Sequence, residues 1–285
     1  LAADQENLKL AQSTLEAQKR AYDLIKKRQA AGLASELDLN RAQTQVDIAR
    51  GEIARYTQLV AQDENALHLL VGTLAPVPRE LLPQGLTGIS AFKKISAGIS
   101  SEVLLNRPDI RRAENVLKAA NANIGAARAA LFPRVSLTST VGTASAELSG
   151  LFEAGSGTWL FAPQIVMPIF DARLWSALEV TKAEQEIALA QYEQAIQTAF
   201  REVADSLAVQ GMVDEQLAAQ QSLVRATAET YRLSEARYLK GVDSYLGVLV
   251  AQRSLFAAQQ GLVALNLSKR ANQIRLYAAL GGGTH

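Results

Sequence analysis

The sequence predicts a mainly α-helical chain of long coiled-coil hairpins, interrupted by one β-hairpin. Three observations predict it. Two stretches, Tyr22–Val46 and Tyr231–Leu255, are near-copies at a constant offset of 209 residues. Long apolar stripes step alternately by three and four residues, the narrow seam of a coiled coil. One segment between Pro133 and Phe170 alternates with period two, the pattern of strands.

The repeat holds without a gap at Gly32 and Gly241, Ser35 and Ser244, Leu37 and Leu246, Ala42 and Ala251, and Gln43 and Gln252. It extends outward to Gln12 and Gln221, and to Gly72 and Gly281. Such a repeat marks one structural unit used twice. Each copy reads as a helix, a Gly turn, a Ser able to cap, and a helix running back. That is an αα-hairpin, with tips near 30–36 and 239–245.

Taken in order, residues 1–72 form the first hairpin. Leu8, Ala11, Leu15, Tyr22 and Ile25 mark its outgoing helix. Leu39, Ala42, Val46, Ala49, Ile53, Tyr56 and Val60 mark the return. Adding the offset gives Val248, Ala251, Leu255, Ala258, Leu262 and Leu265, so the second copy keeps the stripe. The stripe alone does not say how many helices meet. Gly72 closes the first hairpin as a C′ residue. Residues 73–107, with Pro76, Pro78 and Pro83, form a linker or belt with one short helix near Ser101–Leu105. Pro108 and Asp109 open a helix over 108–131 with Ile110, Ala113, Leu117, Ala120, Ile124 and Ala127 on one face.

A β-hairpin follows over 132–170. Val135, Leu137, Ser139 and Val141 alternate with Ser136, Thr138 and Thr140; Trp159, Phe161, Ile165, Met167 and Ile169 form the apolar face of the second strand. Two strands of about ten residues fit a transmembrane β-hairpin. They also fit a hairpin covering a soluble core. In lipid, the bare edges require strands from other chains or another segment. Residues 171–285 then hold a very long helix, with Tyr192, Ile196, Phe200, Val203 and Leu207 as its inner face, and the return helix. Running to Leu239, the long helix spans ~100 Å, with Gly211 its weak point. The second hairpin has a helix and a strand pair upstream, the first has none. We therefore expect roughly a hundred or more residues in front of Leu1, including another strand pair.

Composition narrows the function classes. Lys and Arg number 29 against 28 Asp and Glu, and the basic residues are scattered, so nothing favours a nucleic-acid partner. Cysteine is absent, which removes disulfides and thiolate metal sites. The two histidines, His68 and His285, have no metal-ligand spacing, and neither a phosphate loop nor a nucleophile elbow is present. The residues thus predict no enzyme, no cofactor and no metal site.

Arg107-Pro108-Asp109-Ile110, the stretch from Ala122 to Pro133, Leu148–Phe152, Gly155–Trp159, Pro168–Phe170 and Ala251–Phe256 together resemble the outer-membrane channels of tripartite efflux pumps. The resemblance is to the OprM-like branch of the TolC superfamily and covers essentially the whole chain. It implies a homotrimer whose helices form a periplasmic α-barrel and whose strands share one transmembrane β-barrel in outer-membrane lipid. It also implies two partners, a periplasmic adaptor and, through it, an inner-membrane RND pump.

The resemblance further implies that the adaptor docks at the tips, through Gly32, Leu33, Ala34, Ser35 and Leu37 and through Gly241, Val242, Ser244 and Leu246. These residues equally suffice to make the turns. It places a pore constriction at Leu246, Val250 and Arg253, with Asp38 and Arg41 from the first hairpin. In the family, Asp typically stands where Val250 is, and TolC-like members have a second Asp at Gly247. With neither present, closure here would rest on apolar contact. Asp38 occupies a tip-locking position, but its usual Arg partner aligns with Asp243, so Arg41 or Arg253 is its expected partner. The leading reading is a passive exit duct; the alternative is a soluble periplasmic coiled-coil adaptor or scaffold.

Overall fold

The structure, a computed structural model, describes residues 1–72, 77–78, 81–83, 85–89 and 100–282. Its order is α1 (Ala2–Ala30), α2 (Glu36–Val71), α3 (Pro108–Ala129), β1 (Arg134–Thr143), β2 (Gly157–Val166), α4 (Ala172–Leu239) and α5 (Tyr245–Ala279). Short 3-10 turns lie at Leu86–Gly88, Ser101–Asn106 and Leu148–Gly150. The chain divides into two compact units, Leu1–Gly98 with Val203–Ala278, and Ile99–Glu202 with Ala279–His285. Much of the expected belt over 73–107 lies outside the described residues.

The first unit is built on the seams. The buried residues of α2 are Ala42, Val46, Ala49 and Tyr56, with Leu39, Ile53 and Val60 half-buried between them. On α5, Val248, Ala251 and Ala258 are buried in the same rhythm. On α1, Ala11, Gln18 and Ile25 are buried, Gln18 filling the heptad step between Leu15 and Tyr22. Alanine at these positions lets backbones approach, and extra methylenes there would cost about 1–3 kcal/mol.

Polar side chains fix the register of the seams. Gln260 Nε2 donates to Tyr56 Oη at 2.8 Å, and Asn272 Nδ2 to the Ser206 carbonyl at 2.8 Å. Lys269 pairs with Asp214 at 2.6 Å. Gln220 Nε2 donates to the Ala258 carbonyl at 2.8 Å. That bond exists because residue 261 is Gly, where a Cβ would come within 2.6 Å of the same nitrogen. Gly72 ends α2 in the left-handed region at φ 71°, its N–H bonded to the His68 carbonyl. Gly211 does not interrupt α4. Among the described helices, α5 alone is long and apolar enough to cross a membrane by composition. Val248, Leu249, Ala251, Ala258 and Leu276 bury part of its apolar surface, and Arg253, Lys269, Arg270 and Arg275 punctuate it.

On the expected inner face of α4, Tyr192, Ile196, Val203 and Leu207 are half-buried, and only Phe200 needs correction. Phe200 is 51% exposed, whereas its neighbour Ala199 is fully buried. The buried residues are Leu178, Ala188, Ala199, Ser206, Val213, Leu217 and Tyr238, so small side chains occupy much of this seam. Close helix approach selects the small residue and turns the large one outward.

In the second unit, α3 starts with Pro108 at its first turn. Ile110 is buried, and Ala113, Leu117, Ala120, Ile124 and Ala127 are half-buried, the face expected from the sequence. Strands β1 and β2 pair antiparallel, with Val135 opposite Ile165, Leu137 opposite Pro163, Ser139 opposite Phe161 and Val141 opposite Trp159. This register gathers Val135, Leu137, Val141, Trp159, Phe161 and Ile165 on one face, and Ser136, Thr138, Thr140, Thr158 and Gln164 on the other, together with Leu160, Ala162 and Val166. Every strand residue except Ser136 is exposed. The second strand ends at Val166, earlier than expected, so Met167 and Ile169 lie beyond it. Pro168 has no N–H to continue the ladder.

Arg107 ties this unit together. Its side chain is buried and bonds to both oxygens of Asp109, at 3.0 and 2.6 Å, to Glu202 at 2.7 Å and to the Ala279 carbonyl at 2.8 Å. The last bond satisfies a carbonyl left open at the end of α5. Gly281, at φ 97°, lies so close that a Cβ there would meet the Val103 carbonyl at 3.4 Å. The guanidinium holds the Asp109 carboxyl below the usual carboxylate range, helped by the Ile110 N–H.

Arg107→Met, which keeps the volume and deletes the bonds, should destabilise the protein by about 2 kcal/mol, read as a lower thermal midpoint. The Asp109 contribution has a definite sign. Its folded pKa lies below the unfolded value, so its stabilisation is complete above the ordinary aspartate range near about pH 4 and is lost as pH falls through the depressed value. An acid-unfolding titration of Asp109→Asn should therefore converge on wild type at the acid end and diverge from it at neutral pH.

Candidate functional site

The two tips share one backbone, bond for bond. In the first, Ala31, Gly32 and Leu33 N–H groups donate to the Lys27, Gln29 and Arg28 carbonyls at 3.1, 2.9 and 2.8 Å. In the second, Lys240, Gly241 and Val242 donate to Ala236, Tyr238 and Arg237 at 3.2, 2.9 and 3.0 Å. Every donor and acceptor is displaced by the sequence offset. Gly32 and Gly241 have φ of 74° and 75°, the left-handed region where a Cβ is strained. The bond from the third residue back over five positions is that of a Schellman turn.

Their polar chemistry differs. Ser35 caps α2: its Oγ accepts from the Asp38 N–H at 3.1 Å and donates to Asp38 Oδ2 at 2.7 Å. The Asp38 carboxylate also accepts from the Ser35 N–H, completing a capping box. The equivalent of Asp38 in the second copy is Gly247, so Ser244 has no such reciprocal partner. The second tip instead carries Asp243, which accepts from Arg237. Arg237 holds the Asp243 carboxyl below its ordinary range.

Of the two partners expected for Asp38, Arg41 pairs with it, and Ser35 is an additional, closer one. Its short contacts are to Ser35. Arg41 lies at 3.8 Å, the outer limit of an ion pair, and Arg253 is not among its partners. Position explains this, because a carboxylate three residues after an N-cap is already within reach of the cap.

Under the tips, Ile25, Ala42, Tyr238, Tyr245, Val248 and Leu249 form a buried cluster, with Ala34 and Leu39 packed against it. The Tyr238 and Tyr245 rings lie 5.3 Å apart, and the Arg28 guanidinium lies 5.0 Å from the Tyr238 ring centre. Burial pushes the Tyr245 phenol well above its ordinary value. The reading of the sequence missed Tyr238, Tyr245 and Arg28. The signal was present, since Tyr231, Tyr238 and Tyr245 recur every seven residues across the turn.

The remaining tip residues are displayed outward. Leu33, Leu37, Val242, Leu246 and Val250 are exposed apolar side chains. Gly32, Ser35, Gly241, Ser244 and Arg253 are exposed as well, and Asp38 and Arg41 half-buried. Leu246, Val250 and Arg253 form one bare face of α5, opposite the buried Tyr245, Val248, Leu249 and Gln252. No group of acidic, His or Cys side chains among the described residues could hold a metal ion.

Comparison with known proteins identifies the family of the chain. A family model described as outer membrane efflux protein matches residues 1–73 and 99–282. The toluene efflux pump outer membrane protein TtgF of Pseudomonas putida is 50% identical over 285 residues, covering 99% of this chain and 58% of its own length. The cation efflux system protein CusC of Escherichia coli is 44% identical over 277 residues, 97% of this chain and 60% of its own length. A crystal structure of CusC superimposes with a TM-score of 0.80 at 42% identity, over 99% of this chain and 66% of that one. The open state of the MtrE outer membrane channel of Neisseria gonorrhoeae gives 0.77 at 40% identity, over 99% and 63%.

The chain spans about three fifths of the length of the curated relatives it matches. The helical fold with one β-hairpin is shared with these channels, and nothing in them supports the soluble-adaptor reading. The chain belongs to the outer membrane efflux protein family.

Proposed function

We propose that this chain is part of a passive exit duct in the outer membrane, which docks a periplasmic adaptor at its helical tips and narrows there. The observation that carries the proposal is the pair of matching tips, each with a left-handed Gly and bare Leu or Val side chains around it. A Gly bend lets a partner backbone approach closely, and the flanking apolar residues give a helix tip something to bury.

The β-hairpin supports the membrane half of the reading. Two strands bare on both faces and both edges need further strands in lipid, which a homotrimer supplies by closing one barrel. In that barrel Val135, Leu137, Val141, Trp159, Phe161 and Ile165 face lipid, and the face bearing Ser136, Thr138, Thr140, Thr158 and Gln164 lines the lumen. Transport energy comes from an inner-membrane RND pump coupled through the adaptor, so the duct itself does no bond chemistry and uses no cofactor. Relatives are named for antibiotic, solvent, toluene and cation pumps. One duct architecture serving such different solutes fits selection by the pump.

Leu246 and Val250, with Arg253 one turn further, form the constriction, and Asp38 and Arg41 border it from α2. Opening is a shift of helices at the tip, biased by the adaptor.

Two measurements test the reading. Gly241→Val places a branched side chain at positive φ, a strain of about 1–2 kcal/mol or more. It should abolish crosslinking to the adaptor while the oligomer still assembles; Gly125→Ala, where a Cβ meets nothing within 4 Å, should leave crosslinking intact. Unchanged capture by the Gly241 variant would remove the tip from the docking surface. Leu246→Ser combined with Val250→Ser should raise single-channel conductance in planar bilayers, and wild-type conductance would place the constriction elsewhere.

A further inference from the structure

We propose that the first tip holds an open carboxylate seat at Arg28, filled by an Asp or Glu side chain from the helical tip of the docked adaptor. The seat rests on adaptor docking at the tips and names the chemistry the partner brings there. Arg28 and Arg237 are twins in the repeat, separated by the offset of 209 residues. Each precedes its left-handed Gly by four residues. Each offers its carbonyl to the same turn bond, from Leu33 at 2.8 Å and from Val242 at 3.0 Å. The second guanidinium is occupied. Arg237 donates through Nε and Nη2 to the two oxygens of Asp243, the two-pronged pairing that arginine forms with a carboxylate. Asp243 stands two residues after Gly241. Two residues after Gly32 stands Ala34, which brings no carboxylate.

Arg28 is accordingly left without a counter-charge. Among the described residues its guanidinium has no ion pair and no hydrogen bond, and neither Glu36 nor Asp38 pairs with it. It lies over the Tyr238 ring, 5.0 Å from the centre, and Ala34 packs against the cluster that contains the same ring. Only Nε is sealed from solvent; the two Nη groups are neither buried nor bonded. They are the donors a partner can reach. The residue as a whole is half-buried. A cation held partly out of water gains more from a carboxylate than a fully solvated one, because screening is weaker there. Leu33 and Leu37 lie bare on the same tip, so a partner covering them excludes further water from the pair.

The test is surface plasmon resonance of the adaptor of its own pump on the protein reconstituted in nanodiscs, over a range of salt concentrations. Arg28→Gln should weaken binding roughly tenfold or more and flatten its salt dependence. Ala34→Asp copies the carboxylate of the second tip into the first. It should weaken binding comparably, by filling the seat from within, and add nothing to Arg28→Gln. Arg50→Gln removes the same charge from an exposed pair about 22 Å along α2 from Ser35 and should leave binding unchanged. Exchanging the Asp and Glu residues of the adaptor tip one at a time for their amides should reveal one whose loss is not additive with Arg28→Gln. Unchanged affinity and salt dependence in Arg28→Gln overturns the seat, and so does full additivity with every adaptor variant, which is the mark of a merely structural Arg28. Those two measurements decide the matter even where Ala34→Asp fails to assemble. An inert Arg28→Gln in a protein whose docking Gly241→Val abolishes overturns the seat alone, whereas a wild-type protein that binds no adaptor overturns docking and seat together.

Discussion

Close approach of helices along alanine-rich seams is the constraint on which the rest of this structure depends. Ala11, Ala42, Ala49, Ala251 and Ala258 are all buried, and between them Ile25, Val46, Tyr56 and Val248 supply the larger apolar surface. The alternation decides spacing as well as stability. Where the backbones come close, side chains from one helix reach carbonyls of the next, as Gln220 does over Gly261 and Asn272 does at Ser206. Those contacts set register, which apolar packing alone specifies weakly. The same spacing turns Phe200 outward while Ala199 takes the buried place.

The repeat adds a second level of organisation. Both hairpins turn through the same three backbone hydrogen bonds about a left-handed Gly, although the side chains around them have diverged. The first tip uses its carboxylate to cap α2 through Ser35 and Asp38. The second commits Asp243 to Arg237. Each acidic group is thus satisfied within its own hairpin. Beneath both lies one shared aromatic and aliphatic cluster, drawing on α1, α2, α4 and α5.

Much of this was legible from residue order, and the reasons are physical. The α2 stripe from Leu39 to Val60 keeps strict heptad steps, and those residues are the buried and half-buried ones. The tips were legible because Gly at a helix end followed by Ser has few other uses. The two faces of the hairpin follow from period-two alternation on both strands. Three features were not legible. Phe200 was read onto the inner face of α4 from its size, whereas close packing gives the buried place to Ala199. The end of β2 at Val166 depends on Pro168, which alternation ignores. Arg41 or Arg253 was expected to partner Asp38; Arg41 does pair with it, but the closer contact, to the Ser35 cap three residues earlier, was not foreseen. The tyrosines under the tips were visible as a seven-residue rhythm, but the turn between Tyr238 and Tyr245 concealed it.

The separation of turn geometry from rim chemistry has an evolutionary consequence. A duplicated bend whose shape is written in main-chain bonds and one glycine tolerates drift in every side chain around it. Selection can therefore rewrite the charge and polarity around one bend without disturbing the shape of either.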